Sequence, residues 1–230
     1  YAEPELVYTV SSHFAPINTL SPDIDTESPK KSWYAGIGLL KVWSNAPVVA
    51  LYRYAEPALS APVSSEYART ELQLNVETGD LLNYKYSDKF FDVITMWHSL
   101  EHLYEPIPTL KEVKRILKDD GLLVIAIPNV DSFAAKVFKD NWYQLEIPIH
   151  LIAFSPDSIT RMLDAAGFKV KKIYYDRRNS PLSRSLRNLK DGKYRLLSKL
   201  SRFKVLIKMF NFILSMFGYC DSIVVHALKK

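Results

Sequence analysis

Two short runs rich in apolar and β-branched residues, Phe91-Asp92-Val93-Ile94-Thr95-Met96 and Leu122-Leu123-Val124-Ile125-Ala126-Ile127, flank a helix-spaced segment. Nothing else in the chain constrains the fold as strongly. Runs this apolar read as strands buried on both faces. Between them, Thr109 to Leu117 sets Leu110, Val113 and Ile116/Leu117 on one helix face, with Lys and Glu opposite. Lys118-Asp119-Asp120-Gly121 reads as the helix exit turn, and Pro128 stops the second strand. Parallel neighbours need a crossover of a dozen or more residues, usually a helix, and this spacing supplies one. The expected class is α/β, a three-layer sandwich around a mainly parallel sheet.

The rest of this middle stretch keeps the alternation. Ser64 to Leu74 reads as a helix and Asn75-Val76-Glu77 as a short strand ending at Thr78-Gly79-Asp80. Ser155-Pro156 caps and opens a further helix, which closes at Gly167 before a strand from Phe168 to Tyr175. In open α/β sheets, ligands sit at the carboxyl ends of the strands. Those ends are Gly79-Asp80, Thr95 to His102, and Pro128-Asn129.

Composition bounds the remainder. With 230 residues, 48% hydrophobic and 24% charged, the chain is long enough for a substantial core, and wholesale disorder is excluded. One cysteine, Cys220, excludes an internal disulfide framework and a cysteine-based zinc site. It suits a reducing compartment, so a cytoplasmic location is expected. No basic, then apolar, segment opens the sequence, so no signal peptide is expected. Val205 to Cys220 is too short to span a bilayer and is interrupted by Lys208 and Asn211.

Three stretches emerge. Residues 1–63 are proline-rich and without a clean period, 64–176 form the α/β core, and 177–230 are a basic helical segment plus a final strand of the same domain. The last stretch carries thirteen Lys/Arg against Asp191 and Asp221, a net +11, whereas residues 1–176 carry −6. In it, Leu196, Leu200, Phe203, Ile207, Phe210, Leu214 and Phe217 recur at alternating spacings of four and three, an apolar helix stripe. From Val205 onward the other faces are apolar too. This pattern suits either a helix packed on the sheet or peripheral contact with an anionic membrane through residues 193–218. It lacks the spread of stacking aromatics that a nucleic-acid groove uses, so no nucleic-acid partner is expected.

In order and spacing, these segments resemble a class I S-adenosylmethionine-dependent methyltransferase of the small-molecule group. The likeness runs through Asn75 to Leu82, Phe91 to Leu103, Leu110 to Asn129, His150-Leu151, Phe154-Ser155-Pro156 and Ala165-Ala166-Gly167-Phe168. It implies a Rossmann-like sheet whose last strand, here Ser222 to Ala227, runs antiparallel, and S-adenosylmethionine as the cofactor. It also implies that Asp80 accepts from the adenine amino group and that Leu81 packs beside the ring. Thr95, Met96, Trp97 and His98 would line the cofactor's methionine end and the substrate. Trp97 could there offer a π face to the sulfonium. Asp92 would be structural, tying the start of its strand to a neighbouring loop.

The first third departs from the pattern. The family's glycine-rich cofactor loop has one candidate, Gly36-Ile37-Gly38, with Leu40 in place of the third glycine and no acid ahead of it. Counting on from Gly36 puts the ribose-binding acid at Glu56, while counting back from Ser64 reaches Pro62, which cannot serve. Either this third is a divergent version of the fold, or residues 1–63 are not the original reading frame.

Methyl transfer from a sulfonium is an in-line displacement, so the protein mainly positions the partners, and an oxygen acceptor also needs a base. His150 and His98 are the candidates for that work. His98, Glu101 and His102 fall on one helix face if helical, where capping and hydrogen bonding are expected and a metal is not. Trp142 and Tyr143 either wall an apolar substrate pocket or pack in the core. The expected function is methyl transfer to a small molecule, a lipid or sugar-lipid among the options. The alternatives are a cofactor-poor binding protein of the same fold and a membrane-surface protein acting through its basic helix. Sequence alone does not set the oligomeric state.

Overall fold

The computed structural model describes residues 36–40, 49–51, 70, 81–147, 150–176, 185–186 and 204–230. They form six strands: β1 (Gly36–Leu40), β2 (Val49–Leu51), β3 (Phe91–Trp97), β4 (Leu117–Pro128), β5 (Phe168–Tyr175) and β6 (Ser222–Lys229). Four helices accompany them: α1 (Pro106–Ile116), α2 (Phe133–Phe138), α3 (Pro156–Ala165) and α4 (Lys204–Met216). The sheet order is β2-β1-β3-β4-β6-β5. The expected helix at 64–74 and strand at 75–77 lie outside the described residues, apart from Thr70.

The βαβ unit read from sequence is present. β3 and β4 pair in parallel, Ile94 beside Leu123 and Met96 beside Ile125, with α1 as the crossover. β6 runs antiparallel to both β4 and β5, as expected of the final strand. Among the described strands the sheet is mixed, with β3–β4 the one parallel pair. β1 runs antiparallel to both β2 and β3. Only residues 41–48 separate β1 from β2, too few for the crossover that parallel pairing requires.

Lys118 to Gly121, expected as a turn, belong to β4. Their pairing is irregular: Phe91 lies opposite Leu117, but Val93 lies opposite Leu122. The extra residues bulge outward, leaving Asp119 and Asp120 exposed, and the strand recovers its register after Gly121. A Cβ on Gly121 would come within 2.7 Å of the Leu117 side chain and 3.0 Å of the Asp92 carbonyl, so glycine alone fits this close approach. Asp92 pairs with Lys118 at 2.5 Å, fastening the start of β3 to the bulge.

Strand alternation builds the main core. Ile94 and Met96 of β3, Leu123, Ile125 and Ile127 of β4, and Ile223, Val225 and Ala227 of β6 share one face and are fully buried. Leu110, Val113 and Ile116 of α1 and Ile159 and Leu163 of α3 cover that face. α3 is fixed at both ends. The Ser155 hydroxyl accepts from the Ser158 N–H, the Ser158 hydroxyl accepts in return from the Ser155 N–H, and Pro156 opens the helix. At the other end Gly167 takes φ +86°, which side chains resist. A smaller cluster of Ala134, Phe138, Trp142, Leu186 and Ile207 joins α2 to α4. Ile207 and the half-buried Leu214 thus turn the predicted stripe toward the protein body, and Phe210 meets Phe133 edge to face.

Candidate active site

The carboxyl end of β3 carries most of the candidate residues. Alternation sends Met96 into the main core, so in the Thr95–His98 strip it offers only backbone. Thr95 and Trp97 point to the opposite face, Thr95 buried and Trp97 half-buried. Opposite them on β1 lie Gly38 and Gly36, paired with Thr95 and Trp97. The glycine pair is therefore not a strand-to-helix loop, because its backbone belongs to an antiparallel pairing. It borders the strip as a strand neighbour.

His98 then breaks the strand. Its N–H donates to the Ala126 carbonyl at 2.8 Å, and its φ of +46° lies in the left-handed region, which non-glycine residues rarely occupy. This turn leads into a short 3₁₀ segment, Leu100–His102, that buries Glu101 completely. The Glu101 carbonyl accepts the N–H groups of Leu151 (2.8 Å) and Ile152 (3.2 Å), which draws the loop carrying His150 against the end of β3. Glu146 on that loop also has a positive φ, +33°. Strain of this kind persists where the surroundings impose it, and it concentrates at functional sites.

The result is a cluster of three imidazoles around one carboxylate. His98 Nδ1 lies 3.3 Å from Glu101 Oε1, and the His102 and His150 rings meet edge to face at 4.7 Å. Ligating atoms of Glu101, His102 and His150 all lie within 4.8 Å of one another. Glu101 Oε2 is buried and without a hydrogen-bond partner among the described residues, as is the hydroxyl of Ser99. Two imidazoles and a carboxylate can serve as an acid–base cluster or accept a divalent cation.

Electrostatics assigns the protons. Burial pushes the Glu101 carboxyl up, but the His98 hydrogen bond and the charges of His98, His102 and His150 outweigh it and hold Glu101 below its ordinary value. Burial also lowers His150, against the pull of Glu101. A neutral His150 then donates from Nδ1 to the Gln144 carbonyl at 2.7 Å, which leaves Nε2 as the basic nitrogen, 3.6 Å from Glu146 Oε2. That is the form a general base requires.

Of the residues singled out from sequence, the structure gathers His98 and His150 with Glu101 and His102. Asp80 lies outside the described residues. Leu81 is buried in the main core. Trp142 belongs to the α2–α4 cluster, and its indole N–H donates to Asp221 at 3.1 Å, so it packs and braces. Sequence spacing missed Ser99, Glu146 and the Gln144 carbonyl. Glu146 was findable, four residues before His150, but only the folded chain brings position 101 against 150.

The pattern of the methyltransferase domain family matches residues 38–173, more than half of the chain. The chain belongs to this family. The match begins upstream of Ser64, so the family pattern reaches into the stretch that resisted sequence reading. A probable S-adenosylmethionine-dependent methyltransferase of Mycobacterium tuberculosis is 30% identical over 115 residues, 50% of this chain and 38% of that protein. An uncharacterized protein of Methanocaldococcus jannaschii is 27% identical over 124 residues, 51% of this chain and 60% of its own length. The matches thus span less than two thirds of these relatives. Among solved structures, a SAM-dependent methyltransferase from Archaeoglobus fulgidus is 22% identical, covering 70% of each chain with a TM-score of 0.44.

The family's cofactor is S-adenosylmethionine, and the described residues fit its methionine end. Just past the carboxyl end of β3, the buried Ser99 hydroxyl and Glu101 Oε2 have no hydrogen-bond partner among the described residues, and such polar atoms suit a cationic, hydrogen-bonding group.

Proposed function

We propose that this methyltransferase-family chain transfers a methyl group from S-adenosylmethionine to a small-molecule acceptor, with His150 as the base. The observation that carries this reading is the setting of His150, its Nδ1 2.7 Å from the Gln144 carbonyl and its ring nitrogen grouped with Glu101 and His102. The cofactor supplies an activated methyl group. Trp97 and the β3 terminus hold the sulfonium end, and Asp80 receives the adenine. His98 orients Glu101, and the Glu101 carboxylate keeps positive charge favourable beside it. His150 Nε2 would take the proton from an acceptor hydroxyl or amine as the acceptor's bond to the methyl carbon replaces that carbon's bond to sulfur. Lipid-like acceptors suit this reading, given the apolar C-terminal helix.

Calorimetry with S-adenosylhomocysteine, followed by a methyl-transfer screen over hydroxyl and amine acceptors, tests it. The expected result is one cofactor site. His150→Ala should keep that site and slow transfer about 10²- to 10⁴-fold, the usual contribution of a positioned base. Absence of cofactor binding in the unaltered chain would instead favour the second reading, a binding protein that holds the cofactor poorly. The placement of Gly36 and Gly38 within a strand supports that second reading.

A further inference from the structure

α4 is apolar on the wrong side as well as the right one. Ile207 and Asn211 are buried against the body. On the opposite side, Val205, Leu206, Met209, Phe212, Ile213 and Met216 are each 48–71% exposed. At about 100° per residue these six positions fill an arc of about 120° with no polar residue in it. Phe217 continues the surface past the end of the helix, 69% exposed. A contiguous apolar face of this kind marks an interaction surface.

Charge selects the occupant. Helical spacing puts position 208, a lysine, about 40° outside one border of the arc, and Lys193, Arg195, Lys199, Arg202 and Lys204 come before it in sequence. No acid occurs between Asp191 and Asp221. Two copies pressing these faces together would set like charges side by side, which is unfavourable. An anionic bilayer surface satisfies both features: the arc enters the acyl boundary while the flanking bases meet lipid headgroups. At 13 residues α4 is about 20 Å long, and no described helix is long and apolar enough to cross a membrane. The helix would therefore lie in the surface.

We propose that the outer face of α4 docks this protein on anionic membrane surfaces. The proposal is independent of methyl transfer. The test is co-sedimentation of the full chain with phosphatidylcholine vesicles, with and without phosphatidylglycerol. The unaltered chain should sediment with the anionic vesicles and much less with the neutral ones, and high salt should release part of it. Lys204→Ser with Lys208→Ser should weaken the anionic binding roughly ten-fold or more, since each basic group near the surface contributes about a five-fold factor. Ile213→Glu with Met216→Glu should abolish sedimentation while leaving the thermal melt unchanged, because both side chains are exposed. The proposal is overturned if the unaltered chain stays in solution with both vesicle types, or if the glutamate variant sediments equally well. It is also overturned if that variant instead breaks a dimer in a chain that ignores vesicles, which would make a second copy the occupant.

Discussion

α3 and α4 both contain a buried apolar seam, yet they solve opposite problems. α3 shows one apolar side to the sheet, through Ile159 and Leu163, and a polar side to water, including the exposed Asp157–Arg161 pair. Its ends are fixed by the Ser155–Ser158 box and by Gly167. α4 also has an apolar inner side, but its outer side is apolar as well. Tertiary packing in the chain explains all of α3's pattern and half of α4's. The unexplained half is where a contact outside the chain should be sought.

Cavity-forming substitutions separate the two helices most sharply. Leu163→Ala, at a fully buried site of α3, should cost about 2–5 kcal/mol in denaturant unfolding, and Ile213→Ala on the outer side of α4 no more than about 0.5 kcal/mol. Equal losses would mean that the outer face of α4 is packed after all. Gly167→Ala comes next. Its left-handed backbone penalises any Cβ, and that Cβ would also displace the Lys114 ammonium. A loss of about 1–2 kcal/mol is expected from melting curves. Ser155→Ala should cost about 1 kcal/mol, the usual worth of an N-cap, with Ser155→Asp restoring most of it.

A smaller, pH-dependent difference belongs to the site. The folded pKa of His150 lies below 6.5, so its contribution is fully present above that value and is lost as pH falls through the folded value. Glu101, lowered from 4.5, contributes above that value and loses its contribution as pH falls further. Unfolding midpoints should therefore fall in two stages on acidification, and His150→Gln should shrink the upper one, to which His226, also lowered by burial, contributes the rest. A variant that keeps the upper stage in full would assign it to another group.

What sequence reveals here is what neighbours in the chain decide. Ser155-Pro156, Gly167 and the apolar run ending at Pro128 announce α3 and β4 because capping, turn and burial are local choices. Lys118 to Gly121 look like a turn by the same local logic, but pairing with β3 overrides it and extends the chain through a bulge. The antiparallel placement of β1 is likewise a matter of distant partners. So is the cluster at the candidate site. His98, Glu101 and His102 are legible together through their spacing, whereas His150 joins them only through the bonds from Leu151 and Ile152 to the Glu101 carbonyl. Met96 shows the reverse: its place in the strip is local, but the sheet turns its side chain into the core.

The central claim is that the carboxyl end of β3 holds the sulfonium end of S-adenosylmethionine. Parallel calorimetric titrations with S-adenosylmethionine and S-adenosylhomocysteine, on the unaltered chain and on Trp97→Ala, address it directly. One site for each ligand is expected in the unaltered chain. In the variant, binding of the cationic ligand should weaken by a factor of about five or more relative to the neutral one, the loss of a cation–π contact of about 1 kcal/mol. Equal weakening of both ligands, or no binding of either by the unaltered chain, would contradict it.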